Sequence, residues 1–66
     1  MLPIYIISAE DINRNIIPIT NPYSCNKNLS LILARNLVKN KNVFKSQVIT
    51  QKGILIRIFI NKKNRY

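Results

Sequence analysis

The chain has no histidine, no tryptophan and a single cysteine, Cys25, among its 66 residues. One cysteine excludes a disulfide within the chain. A metal site would have to use one thiolate and two adjacent carboxylates, which is a poor ligand set for zinc or copper. We therefore expect no metal or other cofactor, and we interpret Cys25 as a reduced structural thiol. Because a domain this small usually needs a disulfide, a metal or a partner for stability, the composition favours a partner.

Acidic residues are almost as scarce as cysteine. The chain has 2 acidic residues against 11 lysines and arginines, and its formal net charge is +9. Both acids, Glu10 and Asp11, precede residue 27, so the stretch 27–66 carries ten basic residues and no acid. A surface of this kind repels itself and gains free energy against a polyanion, through phosphate contacts and counterion release. We expect nucleic acid as the partner.

Long apolar runs are missing. The uncharged stretch 15–26 is interrupted by two prolines, and none of the charge-free stretches approaches the roughly 18 apolar residues of a membrane span. We therefore expect no transmembrane helix and no membrane partner. The first residues also lack the basic region of a secretory signal and the Arg/Ser-rich character of a transit peptide, so the chain is predicted not to be secreted and to act where it is made.

Isoleucine, by contrast, is abundant, with thirteen copies, and the apolar content is that of a folding chain rather than a disordered basic tail. Isoleucine, asparagine and lysine together make up thirty of the 66 residues. The codons of all three are dominated by A and T, which indicates an AT-rich coding sequence such as those of organelles, some parasites, endosymbionts and certain viruses. Some of the lysines therefore reflect mutational drift rather than contact with a partner.

The first third of the chain predicts one strand, a short helix and a connector. Residues 2–7 form an apolar, β-branched run typical of a buried strand. Ser8 is placed to cap a helix of one or two turns, in which Glu10 and Asp11 would complement the helix dipole. The two prolines of 16–25 predict an irregular connector with a turn at Asn21 and Pro22.

The main helix is predicted over residues 27–39, with Asn26 or Asn28 as its cap. Its predicted inner face holds apolar residues at helical spacing: Leu29, Ile32, Leu33 and Leu37. Other apolar residues widen this face beyond one stripe, and such a helix normally lies between two covering layers. The second layer could be another protein, or the width could simply reflect the excess of AT-coded residues.

Two strands, 43–50 and 54–60, are predicted to form a hairpin in which Gly53 takes a positive φ. Strict alternation in the second strand assigns four isoleucines to the core face: Ile54, Ile56, Ile58 and Ile60. Arg57 and Phe59 then share the opposite face, which is the chemistry of a nucleic-acid-binding sheet. Because Phe59 belongs to no RNP-type motif, surface exposure or a protein contact is the favoured interpretation of its side chain.

These elements predict a small single-layer α+β fold, with one main helix packed on a mostly antiparallel sheet that ends in a β-hairpin. Residues 1–61 are expected to form one domain and residues 62–66 a basic tail. The sequence contains no KH-type GxxG, P-loop, zinc spacing or internal repeat. In composition alone, small basic α+β chains with polar tails resemble ribosomal proteins, and this resemblance carries over no functional residue.

We therefore expect a structural RNA-binding protein, namely a small ribosomal protein that neutralises rRNA phosphates and packs against neighbouring proteins. A ribosome in a mitochondrial or other organellar matrix, or in an AT-rich parasite or endosymbiont, is favoured over the cytoplasm. We expect no small-molecule substrate. The predicted RNA contacts position the protein rather than read sequence, and they are Arg35, Lys39, Lys41, Lys45, Lys52, Arg57, Lys62, Lys63 and Arg65.

Two other functions stay open. The first is a stand-alone nucleic-acid-binding protein of a virus or mobile element, which would use the same basic residues on DNA or RNA. The second, less favoured, is a small basic ribonuclease toxin in which Tyr23 or Arg57 would take part in catalysis. Without histidine or a separated pair of carboxylates, the sequence offers poor general acids and bases, so we expect no enzymatic activity.

Overall fold

The computed structural model describes residues 3–61 of the chain. In chain order the elements are β1 (Tyr5–Glu10), β2 (Tyr23–Ser24), α1 (Lys27–Leu37), β3 (Lys45–Thr50) and β4 (Leu55–Ile60). The strands form one antiparallel sheet in the order β2-β1-β3-β4, and α1 packs on one side of it. The predicted fold class is confirmed: an α+β fold with one helix on an antiparallel sheet and a C-terminal β-hairpin, β3-β4. The predicted tail, 62–66, and the predicted start of the first strand at residue 2 lie outside the described residues.

The predicted short helix after Ser8 is wrong, because Ser8, Ala9 and Glu10 belong to β1. All six residues of β1 pair with β3, from Tyr5 opposite Thr50 to Glu10 opposite Lys45. This ladder buries Ala9 on the side of α1, and its hydrogen bonds outweigh a helix of one or two turns, which is marginal in isolation. Asp11 ends the strand instead of entering a helix.

The connector is irregular, as predicted, and it runs beside β1. The Ile7 N–H donates to the Pro22 carbonyl at 2.8 Å, and the Ile17 N–H donates to the Ala9 carbonyl at 2.9 Å. Asn21 has a φ of 55°, a left-handed conformation that asparagine tolerates. The connector ends in the two-residue strand β2, which the sequence did not predict and which pairs with the start of β1.

Helix α1 begins at the predicted cap. The Oδ1 of Asn26 accepts a hydrogen bond from the Leu29 N–H at 3.0 Å, which satisfies one of the N–H groups that a helix start leaves without a partner. The helix ends at Leu37, two residues before the predicted end.

The predicted inner face of α1 is wrong for three of its four residues. Leu29, Ile32 and Leu33 are 45%, 55% and 40% exposed, whereas Ser30 and Ala34 are completely buried against the sheet. Small residues let the helix backbone approach the strands closely, and the Ser30 hydroxyl is satisfied by the Asn26 carbonyl at 3.0 Å. A search for large apolar residues at helical spacing therefore selects the wrong side of this helix.

The core lies between α1 and the two central strands. Ile7 from β1, Ala34 from α1 and Val48 from β3 form its buried centre. Half-buried side chains close it on all sides: Tyr5, Ile19, Leu31, Leu37, Ile56 and Phe59.

In the hairpin, Gly53 has a φ of +87°, which confirms the predicted positive φ. The predicted core face of β4 is correct for Ile56, which packs against the core. It is wrong for the other three isoleucines, since Ile54, Ile58 and Ile60 are 59%, 42% and 42% exposed. The reason is a β-bulge: Val48 pairs with Arg57 whereas the next residue of β3, Ile49, pairs with Leu55. Because β4 has one extra residue at the bulge, the residues before and after it alternate out of phase with each other. A prediction that assumes strict alternation along β4 therefore places some side chains on the wrong face of the sheet.

The side of the sheet opposite α1, here called the open face, has an apolar part around Ile6 and a polar part around Glu10. Ile6 lies between Tyr23 and Ile49 in the register, and Ile49 lies next to Leu55 on the edge strand. Tyr23 and Leu55 are 67% and 50% exposed. Within residues 3–61, no helix or strand packs on this face.

No helix in the described part of the chain is long and apolar enough to cross a membrane.

Candidate nucleic-acid interface

The bulge in β4 determines where Arg57 lies. Residues that pair directly across an antiparallel ladder share a side of the sheet. Arg57 therefore lies on the side of its partner Val48, which is the side of α1. Because β4 is an edge strand, Arg57 stays exposed there instead of entering the core.

Phe59 lies next to Arg57 on the same side of β4, opposite Ser46. The guanidinium carbon of Arg57 lies 5.7 Å from the centroid of the Phe59 ring, a cation–π arrangement. The ring itself packs against the core and is half-buried. Phe59 is therefore not simply a surface residue, and the alternative of a protein contact stays a prediction.

Helix α1 forms the other wall of a groove at this edge of the sheet. This groove, here called the arginine groove, has a volume of about 420 Å³ and is lined by Leu31, Ile32, Arg35, Arg57 and Phe59. Arg35 and Arg57, both exposed, are the two predicted contacts that the structure brings together. Leu31 and Ile32 were not predicted as site residues. The sequence feature that could have indicated them is the wide apolar surface of α1, which covers more of the helix than its inner face needs.

The two carboxylates of the chain lie outside the arginine groove and have partners of their own. The Glu10 Oε2 lies 3.4 Å from the Lys45 Nζ, and both side chains are about one third exposed. The Asp11 Oδ1 accepts hydrogen bonds from the backbone N–H groups of Asn13 and Asn15, at 2.8 and 2.9 Å. Within the described part of the chain, the lining of the arginine groove therefore contains no acid.

Lys45, a predicted RNA contact, lies apart from this groove. It pairs with Glu10 at the start of β3, and both residues lie on the open face, since Ala9 and Ser46 beside them face α1. Its ammonium group already has an anionic partner within the chain. A phosphate at Lys45 would therefore compete with this ion pair.

Lys39 and Lys41 lie in the loop that follows α1 and are exposed. Asn61 holds this loop against the end of β4, because its side-chain amide donates to the carbonyls of Asn40 and Val43 at 3.1 and 2.9 Å. Asn61 is only 6% exposed. The loop that carries the two lysines is therefore held in place by the buried side chain of Asn61.

The remaining predicted contacts are separate from these. Lys52 lies in the exposed β3-β4 turn, at the far end of the hairpin from Lys45. Lys62, Lys63 and Arg65 lie outside the described residues. Among the described residues, the predicted RNA contacts therefore fall into two groups. Arg35 and Arg57 share the arginine groove, Lys39 and Lys41 share the loop after α1, and Lys45 and Lys52 lie away from both.

Tyr23 and Arg57, considered above as residues of a ribonuclease, lie on opposite edges of the sheet. Tyr23 pairs with Ile6 on the open face, whereas Arg57 faces the side of α1. Three strand spacings separate the edges, about 14 Å at roughly 4.8 Å each. The two side chains therefore cannot act together on one bond. Cys25 is a free, exposed cysteine.

A second groove of about 420 Å³ lies between α1 and the connector, where Pro18, Ile19, Leu33 and Leu37 form much of its wall. Its polar residues are uncharged, Asn36 and Asn40 among them. It offers no cation to a phosphate, so the arginine groove is the stronger candidate for a polyanion.

Comparison of the whole chain with protein-family models, curated proteins and solved structures found no match in any of the three.

Proposed function

We propose that this chain is a structural RNA-binding protein of a large ribonucleoprotein, namely a small ribosomal protein that neutralises rRNA phosphates. The observation that carries the proposal is the arginine groove. Arg35 and Arg57 stand exposed beside an aromatic ring, with no acid among the lining residues. Binding of a polyanion to such a surface is favourable. In the isolated protein the same positive charges repel one another.

The cations position the protein on RNA rather than read its sequence. Arg35 contacts phosphate from the groove, and Lys39 and Lys41 do so from the anchored loop. Lysine and arginine contacts to phosphate set orientation and carry no base information.

Neighbouring proteins complete the assembly through the open face. Its exposed side chains include Tyr23, Leu55 and Ile58, and contiguous exposed apolar surface is a feature of interaction sites. The AT-rich coding bias supports an organellar, parasite or endosymbiont ribosome as the location.

The test is sedimentation of ribosomes from cells that contain the protein, with a tag on the chain to follow it. We expect the chain to co-sediment with a ribosomal subunit at low salt and to be released at high salt, because phosphate contacts weaken as counterions compete. A chain that stays at the top of the gradient and folds alone as a cooperative, salt-insensitive monomer without RNA affinity would contradict the proposal.

A second measurement separates this function from a stand-alone nucleic-acid-binding protein of a virus or mobile element. The purified chain is titrated with ribosomal RNA and with free duplex DNA over a range of salt concentrations. Preference for RNA supports the ribosomal proposal. Equal binding of duplex DNA, with a salt slope as steep as that for RNA, would indicate the stand-alone protein instead.

A further inference from the structure

The arginine groove has two chemically different parts. Leu31 and Ile32 form an apolar wall on α1, and Arg57 lies over the Phe59 ring on β4. Arg35 adds a second guanidinium group one turn further along the helix from Leu31. The volume, about 420 Å³, lies within the range of roughly 300–1,000 Å³ that is usual for small-ligand pockets.

A nucleic-acid duplex would use only part of this groove. In a duplex the bases are stacked inside and phosphates stand outside, so the arginines would find a partner and the apolar wall would not. An unstacked nucleotide presents both a phosphate and a flat, weakly polar base. Its two parts match the two parts of the groove.

We propose that the arginine groove binds one unstacked nucleotide of single-stranded RNA. The base stacks on the guanidinium group of Arg57, which is itself within cation–π distance of Phe59. The edge of the base packs against Ile32, and Arg35 contacts the adjoining phosphate. This inference rests on the proposed RNA-binding function and narrows its substrate to single-stranded segments such as loops, bulges and ends.

Two observations favour RNA over an acidic protein as the occupant. The two guanidinium groups and the apolar wall provide for stacking as well as for charge, and carboxylate side chains have no flat apolar part to stack. In addition, Arg57 is exposed beside a half-buried ring, so its guanidinium group is accessible to a further planar group.

The experiment measures the affinity of the full chain for two fluorescein-labelled probes at one salt concentration. The probes are a short oligouridylate and an RNA duplex with the same number of phosphates. Arg57→Lys keeps the charge and removes the stacking plane, and Ile32→Ser removes apolar wall at a position that is 55% exposed, so folding is preserved. Leu29→Ser is the matched control for Ile32, because Leu29 is exposed on the same helix but outside the groove.

We expect Arg57→Lys and Ile32→Ser each to weaken oligouridylate binding about tenfold, which is the scale of one base–side-chain stack. Binding of the duplex should change by less than about twofold for these variants, because the charge count is kept. Leu29→Ser should bind both probes like the unmodified chain. Lys52→Gln, which removes a charge outside the groove, should weaken both probes equally.

Two results would overturn the inference, and they are distinguishable. If the chain binds both probes but Arg57→Lys and Ile32→Ser bind the oligouridylate like the unmodified chain, the groove is no nucleotide site, while RNA binding itself stands. If the unmodified chain binds neither probe, the proposed function fails and this inference fails with it.

Discussion

The hydroxyl of Ser46 on β3 donates a hydrogen bond of 2.6 Å to the backbone carbonyl of Ala34 in α1. Both residues are completely buried. This bond joins the helix to the sheet next to Arg35, which lines the arginine groove. The hydrogen bond therefore fixes the helix to the sheet at a residue adjacent to the candidate site.

Ser46→Ala is expected to lower the free energy of unfolding by about 1–3 kcal/mol, because it leaves a buried carbonyl without this donor. Thermal unfolding followed by circular dichroism measures the loss, with TMAO present to favour the folded state. Ser8→Ala is the control, since Ser8 lies on the open face and should change stability by less than about 0.5 kcal/mol. Equal stability of the two variants would show that the Ser46 hydrogen bond contributes nothing.

The elements of this fold could be predicted because their signals are local. Asn26 caps α1 through a hydrogen bond from the N–H of Leu29, only three residues later. Gly53 indicates a turn because glycine readily adopts the positive φ that the turn requires. The choice of faces could not be predicted, since it depends on tertiary contacts. Ser30 and Ala34 carry no large apolar signal yet form the inner side of α1.

For the candidate site, the sequence indicated which residues could take part but not where they lie in the fold. Arg57 and Phe59 were identified as a pair with nucleic-acid-binding chemistry, but a register shift that the sequence does not reveal moves them to the side of α1. The partnership of Arg35 with Arg57 joins a helix to an edge strand 22 positions later. Without a motif or an alignment of related chains, periodicity gives no indication of a contact at that separation.

Asn61→Ala should destabilise the loop that carries Lys39 and Lys41. The change removes an amide that donates to the carbonyls of Asn40 and Val43, and the loss of an intramolecular hydrogen bond costs about 0.5–1.5 kcal/mol. Hydrogen exchange should show faster opening of this loop, together with a lower unfolding temperature. Asn42→Ala serves as the exposed comparison; if it loosens the loop as much as Asn61→Ala does, the anchor is not Asn61.

Gly53→Ala is expected to destabilise the β3-β4 turn through backbone strain alone. A Cβ at this position would meet no atom within 4 Å, but the φ of +87° is one that L side chains rarely adopt. The left-handed conformation costs an L-residue about 1–2 kcal/mol. Gly53→Asn should lose less, because asparagine tolerates positive φ better. Thermal unfolding of the two variants should give this order, and equal losses would mean that the turn relaxes into another conformation.

The exposed apolar side chains of the open face should drive self-association of the isolated chain. Replacing Leu55 and Ile58 together by threonine places a β-branched residue at both positions of β4 and removes apolar side chains that are 50% and 42% exposed. We expect weaker concentration-dependent light scattering with little loss of secondary structure. Val48→Thr, at a fully buried position, should instead unfold the chain and raise scattering. Unchanged scattering in the Leu55 and Ile58 double variant would show that association uses another surface.

Lys45 and Lys39 should differ in their effect on RNA binding although each contributes one positive charge. The ammonium of Lys45 lies 3.4 Å from Glu10, whereas Lys39 is exposed on the loop after α1. Each phosphate contact to a single strand contributes about 0.7 to the slope of log affinity against log salt concentration. Lys39→Gln should therefore reduce the slope by about 0.7, and Lys45→Gln should leave it nearly unchanged. Titration of a labelled oligouridylate over a series of salt concentrations gives both slopes. An equal reduction for the two variants would mean that Lys45 leaves Glu10 to bind phosphate, and that the ion pair on the open face does not withhold this cation from RNA.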